Sequence, residues 1–263
     1  MERAGETYPA FTVVEGDPAS GLLLLCDHAE NRLPPEYGDL GLPAGEFRRH
    51  IAYDPGAAAV TRGLAAALGV PAVLSTFSRL LIDPNRGDDD PTLIMRLSDG
   101  AVVPGNAGVD EAERQRRIAR FHRPYHAAIE AAIDRAMASG VVPALFSVHS
   151  FTPVWRGVPR PWQVGILWDL DPRLAVPFID ALRADPGLIV GDNEPYAGAL
   201  GGDTMYRHAT QRGLAHALIE VRQDLIADDA GVADWTARLA AILAILNRDP
   251  AIHKVQHFGS KSD

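Results

Sequence analysis

The sequence predicts an α/β fold, a three-layer sandwich in which a mostly parallel central sheet lies between two layers of helices. Two observations favour this fold. Short apolar runs alternate along the chain with stretches of helical length, an order that is typical of parallel sheets with helices on both faces. The strongest runs are apolar almost throughout, as expected for strands that are buried on both faces. They are LLLLC at 22–26, ALFSV at 144–148 and ALI at 217–219.

The individual elements follow from these runs and from the residues that bound them. Strands are expected at 21–27, 70–76, 79–83, 143–150, 162–170 and 215–226, with a shorter one in GLIVGDN at 187–193. Helices are expected at 54–69, 110–139, 171–184, 204–212 and 234–246. At the first helix, Asp54 suits the N-cap, Pro55 the first turn and Gly69 the C-terminal stop. Pro124 predicts a kink or a break in the long helix.

The remaining stretches contain no linker. Residues 84–108 are rich in Gly, Pro and Asp, and we expect a long loop of the kind that is usually functional or mobile. Residues 1–20 form a mixed lead-in, and 250–263 are expected to be a frayed tail. Because no internal repeat or composition shift divides the chain, a single domain is expected over 1–263.

Composition and charge exclude several classes of protein. The 263 residues carry a formal net charge of −9, which disfavours a nucleic-acid partner. The single cysteine, Cys26, forbids an internal disulfide and suits a reducing compartment. The sequence shows neither a signal-peptide pattern nor an apolar run near the roughly 20 residues of a membrane-spanning helix. We therefore expect a soluble, cytoplasmic protein whose oligomeric state is open.

Chemically reactive side chains follow four of the predicted strands. His28 follows the first strand, Asn85 and Arg86 follow the run RLLID, His149 follows ALFSV, and Glu220 follows ALI. In open α/β sheets, sites form at the carboxyl ends of the strands. The fold should therefore bring these residues, far apart in sequence, to one rim.

Two histidines and one oxygen ligand at such a rim are a known zinc-binding set. His28 and His149 are the candidate histidines, while Asp54, Glu30 and Asn31 compete for the third position. The sequence alone leaves this choice open.

The same rim also offers a candidate general base. A catalytic zinc lowers the pKa of its water and polarises a carbonyl group, and a nearby carboxylate can then carry the proton. Glu220 is the candidate for this role. Asp27, which precedes His28, is a candidate for orienting an imidazole ring.

Structural roles compete with these assignments. Asp54 is also explained by helix capping, and Glu220 by a salt bridge with Arg222. His122 and His126 are four residues apart on the long helix, but the glutamate of the His-Glu-x-x-His motif is absent. We therefore expect them to be partly buried residues of a helix face.

Eight sequence blocks, in order, resemble those of the N-formylglutamate amidohydrolase family. They are DHAENRLP (27–34), RHIAYDPGA (49–57), SRLLIDPNR (78–86), VPGNAG (103–108), FHRPYH (121–126), SVHSFTP (147–153), GDTMYRHA (202–209) and LIEVRQDLI (218–226). The resemblance implies a phosphorylase/hydrolase-like sandwich, shared in outline with zinc carboxypeptidases and zinc-dependent muramoyl amidases. It also implies zinc-dependent hydrolysis of an N-acyl amino acid such as N-formylglutamate, with release of formate, in amino-acid catabolism.

The resemblance implies metal ligands residue by residue. The blocks DHAEN and SVHS imply that His28 and His149 bind zinc. Muramoyl amidases take a carboxylate from the helix region between the two histidines, which favours Asp54. Carboxypeptidases take it three residues after the first histidine, where this chain has Asn31.

The resemblance implies substrate contacts as well. IDPNR is similar to a block in which Asn and Arg hold a substrate carboxylate, here Asn85 and Arg86, and IEVRQ implies that Glu220 is the base. The net negative charge does not attract an anionic substrate, so attraction must be local. Further candidates for it are Arg79, Arg156 and Arg222.

Two other functions stay open at this stage. The same metal site could act on a peptide or muramoyl amide, although an enzyme that acts on the cell wall would be expected to carry an export signal. Alternatively, the chain could bind acidic metabolites without catalysis, having lost the metal. Metal analysis separates this last alternative from the other two.

Overall fold

The computed structural model describes residues 8–263, in which a seven-stranded sheet carries helices on both faces. The strands are β1 (Phe11–Val14), β2 (Leu22–Cys26), β3 (Ala72–Ser75), β4 (Leu97–Ser98), β5 (Ala101–Val102), β6 (Ala144–Phe151), β7 (Val154–Trp155), β8 (Val158–Pro159), β9 (Val164–Leu167), β10 (Val190–Asp192) and β11 (His216–Arg222). The helices are α1 (Ala57–Leu68), α2 (Pro104–Ala107), α3 (Glu111–Arg117), α4 (Arg123–Ala138), α5 (Pro172–Arg183) and α6 (Asp229–Leu246).

The large sheet is mostly parallel, with the strand order β1-β3-β2-β6-β11-β9-β10. Within residues 8–263, only β1 with β3 and β11 with β9 pair antiparallel in it. Two short hairpins, β4–β5 and β7–β8, stand apart from this sheet. The predicted α/β fold with a mostly parallel central sheet is thereby confirmed.

The sheet separates two apolar cores. In β2, Leu22 and Leu24 pack into the core formed with α1, α5 and α6, while Leu23 and Leu25 pack into the core formed with α4. Because helices cover both faces, consecutive leucines are all buried. The apolar run that predicted this strand is therefore a direct result of the three-layer architecture.

The first helix begins after a tight Asp-Pro-Gly turn. Gly56 is the N-cap residue, with φ of +83°, and no side chain caps the helix. A Cβ atom at this position would lie 2.4 Å from the backbone oxygen of Ile226, so the turn requires glycine. The expectation that Asp54 caps the helix is wrong, and its carboxylate is free to point elsewhere.

The stretch 79–83 is a buried turn instead of the predicted strand. The backbone N–H of Leu81 donates to Ser78 at 2.9 Å, and that of Asp83 donates to Leu93 at 2.8 Å. The residues are apolar because they are buried, but their backbone hydrogen bonds do not form a strand ladder, and the N–H of Arg79 donates to the distant Ala52 at 3.1 Å. Local hydrophobicity cannot distinguish such a turn from a buried strand.

The central region of the chain differs from prediction in detail. The predicted loop 84–108 contains the hairpin β4–β5 and the short helix α2. The long helix continues from α3 to α4 through a π-helical turn at Ile118–His122. Pro124 lies in the first turn of α4, where its missing N–H is tolerated. The stretch 204–212 forms one helical turn of π type, Tyr206–Thr210.

Both terminal stretches contact the body of the protein. The lead-in contains β1, which pairs with β3; residues 1–7 lie outside the described part. In the stretch expected to fray, Ile252 is buried, and the N–H of Gln256 donates to Gly213 at 2.8 Å. Among the helices of residues 8–263, none combines the length and the apolar character needed to cross a bilayer.

Candidate metal centre and its cavity

Three side chains converge at the carboxyl ends of the central strands. His28 follows β2, His149 lies near the end of β6, and Asp54 precedes the turn into α1. Each offers one donor atom, and these atoms all lie within 4.8 Å of one another. All three residues are buried, so the group could hold a metal ion.

The outer nitrogen of each imidazole is held by a second carboxylate. Nε2 of His28 donates to Asp83 at 2.7 Å, and Nε2 of His149 donates to Asp27 at 2.9 Å. Each Nδ1 atom faces Asp54, at 3.3 and 2.9 Å from Oδ2, and can act as a metal ligand once it carries no proton. A carboxylate that fixes the tautomer of a ligand histidine is the usual arrangement in metal sites. Asp27 thus makes the contact expected of it, and Asp83 is its unforeseen counterpart.

The cluster carries excess negative charge. Burial alone would raise the pKa of Asp54, but His28 and His149 outweigh it and hold that pKa far below the usual range. Around Asp83, Arg79 and His28 likewise outweigh burial and lower the pKa. Asp27 is ionised as well. Burial alone would lower the pKa of His149, but hydrogen bonds to Asp27 and Asp54 outweigh it and raise that pKa well above the usual range. The carboxylates thus favour positive charge at this point, either a protonated imidazole or a divalent cation in its place.

Thr204 links Asp27 to Asn85. Its hydroxyl donates to Asp27 at 2.6 Å, and its backbone N–H donates to the side-chain oxygen of Asn85 at 3.0 Å. Tyr125 donates to Asp27 as well, at 2.9 Å. These contacts fix the carboxylate that holds His149.

Glu220 lies directly beside His149, because β11 pairs with β6 in that register. Its Oε2 atom is buried and has no hydrogen-bond partner among residues 8–263. Burial, aided by the Asp54 carboxylate and opposed by His149, raises the pKa of Glu220 to about 7. A carboxyl group with this pKa can take up and return a proton at neutral pH.

A cavity of about 280 Å³ opens over these groups. Its polar wall contains the three metal-site residues, Glu220, Asn85 and Arg86. The cavity also has a largely aromatic wall, whose rings are those of Phe151, Trp155, Trp168 and Tyr196. This volume is close to the lower end of ligand pockets, which suits a small molecule.

Asn85 and Arg86 present donors to the cavity. Because Oδ1 of Asn85 accepts from Thr204, its Nδ2 group must carry the hydrogens that remain for a ligand. Arg86 bonds through Nε to Thr92 and through Nη1 to its neighbour's carbonyl, and no bond within residues 8–263 engages Nη2. Together they form an amide and guanidinium pair that fits a carboxylate.

The other predicted arginines are placed differently. Arg79 lines the cavity, but its guanidinium is engaged with Asp83 at 2.7 Å and lies 3.7 Å from Asp54. Arg156 stands exposed at the tip of the β7–β8 hairpin, and Arg222 pairs with Asp224 at 2.8 Å. Neither lines the cavity. Their predicted contact with a ligand therefore has no support from the cavity geometry.

The two rivals of Asp54 are also engaged elsewhere. Glu30 faces Arg32 at 3.3 Å, and the Asn31 amide donates to the carbonyl of Phe47 at 2.7 Å. Neither belongs to the metal-site group or to the cavity wall. The geometry thus favours Asp54 as the third donor.

A buried histidine cluster supports the loop that carries Asn85. His126 bonds to the carbonyl of Pro84 at 3.0 Å and to His208 at 2.7 Å, while His122 bonds to the carbonyl of Arg86 at 2.9 Å. These residues are fully buried, more so than the sequence suggested. Their four-residue spacing pointed to a shared face, but nothing in the sequence indicated that this face meets the loop.

Comparisons with known proteins identify the family of this chain. The profile of the N-formylglutamate amidohydrolase family matches residues 20–227. A gene product of Agrobacterium tumefaciens of known structure is 35% identical, with a TM-score of 0.85 over 91% of this chain and 95% of that one. The N-formylglutamate amidohydrolase of Ralstonia eutropha is 25% identical, with a TM-score of 0.68 over 90% and 96%. A comparison with proteins of curated function gives no match. Through the match over 20–227, the chain belongs to the N-formylglutamate amidohydrolase family.

Proposed function

We propose that this protein is a zinc-dependent amidohydrolase that cleaves N-formyl amino acids such as N-formylglutamate into formate and the free amino acid. The observation that carries the proposal is the placement of Glu220. Its carboxyl group, with a pKa of about 7, lies beside His149 of the metal-donor group and on the same cavity wall as Asn85 and Arg86. Family membership supports amide hydrolysis as the reaction class.

The donor set fits zinc. His28, His149 and Asp54 would hold the ion, since two imidazoles and one carboxylate are a common catalytic set. Asp83 and Asp27 keep the two histidines in the ligating tautomer. When bound, zinc would lower the pKa of water and polarise the formyl carbonyl group.

Glu220 performs the proton transfers. Its carboxylate accepts a proton from the attacking water, and the resulting carboxyl group gives that proton to the departing amine. Its lack of a hydrogen-bond partner within residues 8–263 leaves the group available for both steps.

Asn85 and Arg86 hold the substrate by its α-carboxylate. The Nδ2 group of Asn85 and the guanidinium of Arg86 donate to the two carboxylate oxygens. This contact places the amide bond toward the metal-donor group. We further propose a cytoplasmic role in amino-acid catabolism, which the free and buried Cys26 suits.

A matched pair of measurements tests the proposal. Hydrolysis of N-formyl-L-glutamate is followed with zinc and with a chelator, for the wild type and for Glu220→Gln. We expect the chelator to abolish turnover, and Glu220→Gln to keep zinc while losing about 10²- to 10⁴-fold in kcat. Full activity in the chelator would refute metal dependence. Turnover confined to peptide or muramoyl amides would instead refute the substrate class.

A further inference from the structure

Two of the three clustered histidines belong to π-helical turns. His122 ends the turn Ile118–His122, and His208 lies within the turn Tyr206–Thr210. The ring of His126 contacts both, with centroids 4.3 Å from His122 and 5.0 Å from His208. Turns of this type are rare, and they occur frequently at functional sites. The cluster is therefore a candidate for a role beyond packing.

The three imidazoles are uncharged at neutral pH. All are almost fully buried, and burial lowers the pKa of His126 well below its ordinary value and that of His208 to about 3. Burial lowers the pKa of His122 as well. Each ring therefore carries one proton and has one donor nitrogen and one acceptor nitrogen.

The contacts of the cluster fix the direction of its hydrogen bonds. Nε2 of His126 lies 3.0 Å from the carbonyl oxygen of Pro84, which can only accept, so this nitrogen carries the proton. Nδ1 of His126 must then accept from Nε2 of His208, at 2.7 Å. In the same way, Nε2 of His122 donates to the carbonyl oxygen of Arg86 at 2.9 Å. Two imidazole donors thus end on one loop, and His208 holds one of them in its donor tautomer.

The two carbonyl groups bracket the residue pair that faces the cavity. Asn85 follows Pro84, and Arg86 carries the second carbonyl group, so the backbone is held on both sides of this pair. Thr204, four residues before His208, holds the Asn85 side chain through its backbone N–H at 3.0 Å. The backbone and the side chain of Asn85 are therefore both held from one short segment of the chain.

Resting on the proposed function, we propose that His122 and His126 are positioning residues for the substrate's α-carboxylate. By fixing the two peptide groups, they hold Asn85 and Arg86 in the orientation that receives this carboxylate, and His208 acts through His126. None of the three histidines lines the cavity, and within residues 8–263 they form no metal-donor group. Loss of a donor should weaken substrate binding and leave the chemical step, which depends on the base and the metal-donor group, nearly intact.

Steady-state kinetics of the zinc-loaded protein with N-formyl-L-glutamate test this role. His126→Leu removes the donor, whereas the amide of His126→Gln can still donate to the same carbonyl group. We expect the leucine variant to raise KM by about 10- to 100-fold, the range for one hydrogen bond to a charged group. Its kcat should stay nearly unchanged, because binding and not the chemical step is impaired. His126→Gln should keep KM near the wild-type value.

His253→Leu is the matched control. His253 also lies 2.9 Å from two carbonyl oxygens, those of Val142 and Asn247, but it does not line the cavity. Its loss should lower stability and leave KM unchanged. If His126→Leu does not fold, His122→Leu and His122→Gln form the equivalent pair. An unchanged KM in the leucine variant, or an equal rise in the leucine and glutamine variants, would overturn the inference.

Hydrogen exchange of the zinc-loaded protein without substrate separates this inference from the proposed function. The backbone N–H of Asn85 donates to Asp83 at 3.0 Å, and that of Thr204 donates to Asn85, so both amides report on the loop. We expect both to exchange about 2- to 10-fold faster in His126→Leu than in the wild type and in His253→Leu, as for the loss of one uncharged hydrogen bond. If no N-formyl amino acid is hydrolysed, the proposed function fails, while the exchange rates still decide whether His126 holds the loop. Equal rates in the three proteins would refute that role by themselves.

Discussion

At the scale of single residues, position at a strand end predicted which side chains lie together better than residue type did. His28, His149 and Glu220 were predicted to meet because each follows an apolar run, and they line one cavity. The third donor could not be chosen from sequence, because the orientation of Asp54 depends on the glycine turn that follows it.

The buried carboxyl group of Asp203 should make the stability of the protein depend on pH. Asp203 is 5% exposed in the cavity wall, and burial raises its pKa from 3.8 to about 7. Between those values the unfolded chain loses this proton while the folded protein keeps it, so Asp203 makes stability fall as pH rises from about 4 to 7. Asp203→Asn lacks this effect while retaining an acceptor for the N–H of Tyr206.

The variant should therefore gain stability relative to the wild type as pH rises. Urea unfolding at pH 5, 6 and 7 measures the difference in unfolding free energy. We expect this difference in unfolding free energy between the variant and the wild type to grow by up to about 1.4 kcal/mol per pH unit. A difference that stays constant from pH 5 to 7 would show that Asp203 is ionised in the folded protein.

At the scale of elements, the sequence predicted the strands of the central sheet but not its surroundings. β2, β6 and β11 are apolar because helices cover both faces of the sheet. Each of these strands is therefore recognisable in the sequence as a continuous apolar run. The hairpins β4–β5 and β7–β8 have two-residue strands, with too few positions for a periodic pattern. Yet these hairpins supply Ser98 and Trp155 to the cavity wall.

The two glycines that flank α1 should differ in the cost of replacing them by alanine. Gly56 and Gly69 flank the helix, and both have positive φ, at +83° and +67°. A Cβ atom at Gly69 would meet nothing within 4 Å, whereas at Gly56 it would collide with Ile226. Gly69→Ala should therefore cost about 1–2 kcal/mol of unfolding free energy through its backbone alone. Gly56→Ala should cost more, because the turn must also move.

That movement should reach the metal site. Asp54 lies two residues before Gly56, so Gly56→Ala should weaken zinc binding while Gly69→Ala leaves it intact. Chemical denaturation and zinc titration of both variants measure the two effects. Equal stability losses together with unchanged zinc affinity would contradict the account of this turn.

At the scale of the whole molecule, the metal donors come from segments far apart in sequence that meet at one edge of the sheet. An ion held by His28, Asp54 and His149 would therefore connect β2, the start of α1 and β6. The family match over 20–227 includes all these segments and ends just after β11. The fold class and reaction class could thus be predicted from patterns that run through the chain, whereas the shape of the cavity could not.

Zinc should accordingly stabilise the entire fold. At zinc 100-fold above its Kd, the folded state gains about 2.7 kcal/mol. For a chain of this size that corresponds to a rise in Tm of roughly 5–10 °C. Calorimetric scans with zinc and with a chelator test this, with His149→Ala as the control that should show no shift. A wild-type Tm that is the same in both conditions would exclude a structural link through the metal.

Thr204 has a consequence for how such an enzyme can change its substrate. Through one hydroxyl and one backbone N–H it fixes both Asp27, which holds His149, and the amide of Asn85. A mutation that re-aims Asn85 therefore disturbs the orientation of a metal donor and risks all activity. Within residues 8–263, the side chains of Trp155, Trp168 and Tyr196 make no hydrogen bond to His28, Asp54 or His149, and that of Trp168 donates to Asp192 at 2.7 Å. Evolution toward new substrates is accordingly expected to begin at the aromatic wall and to leave Asn85 until last.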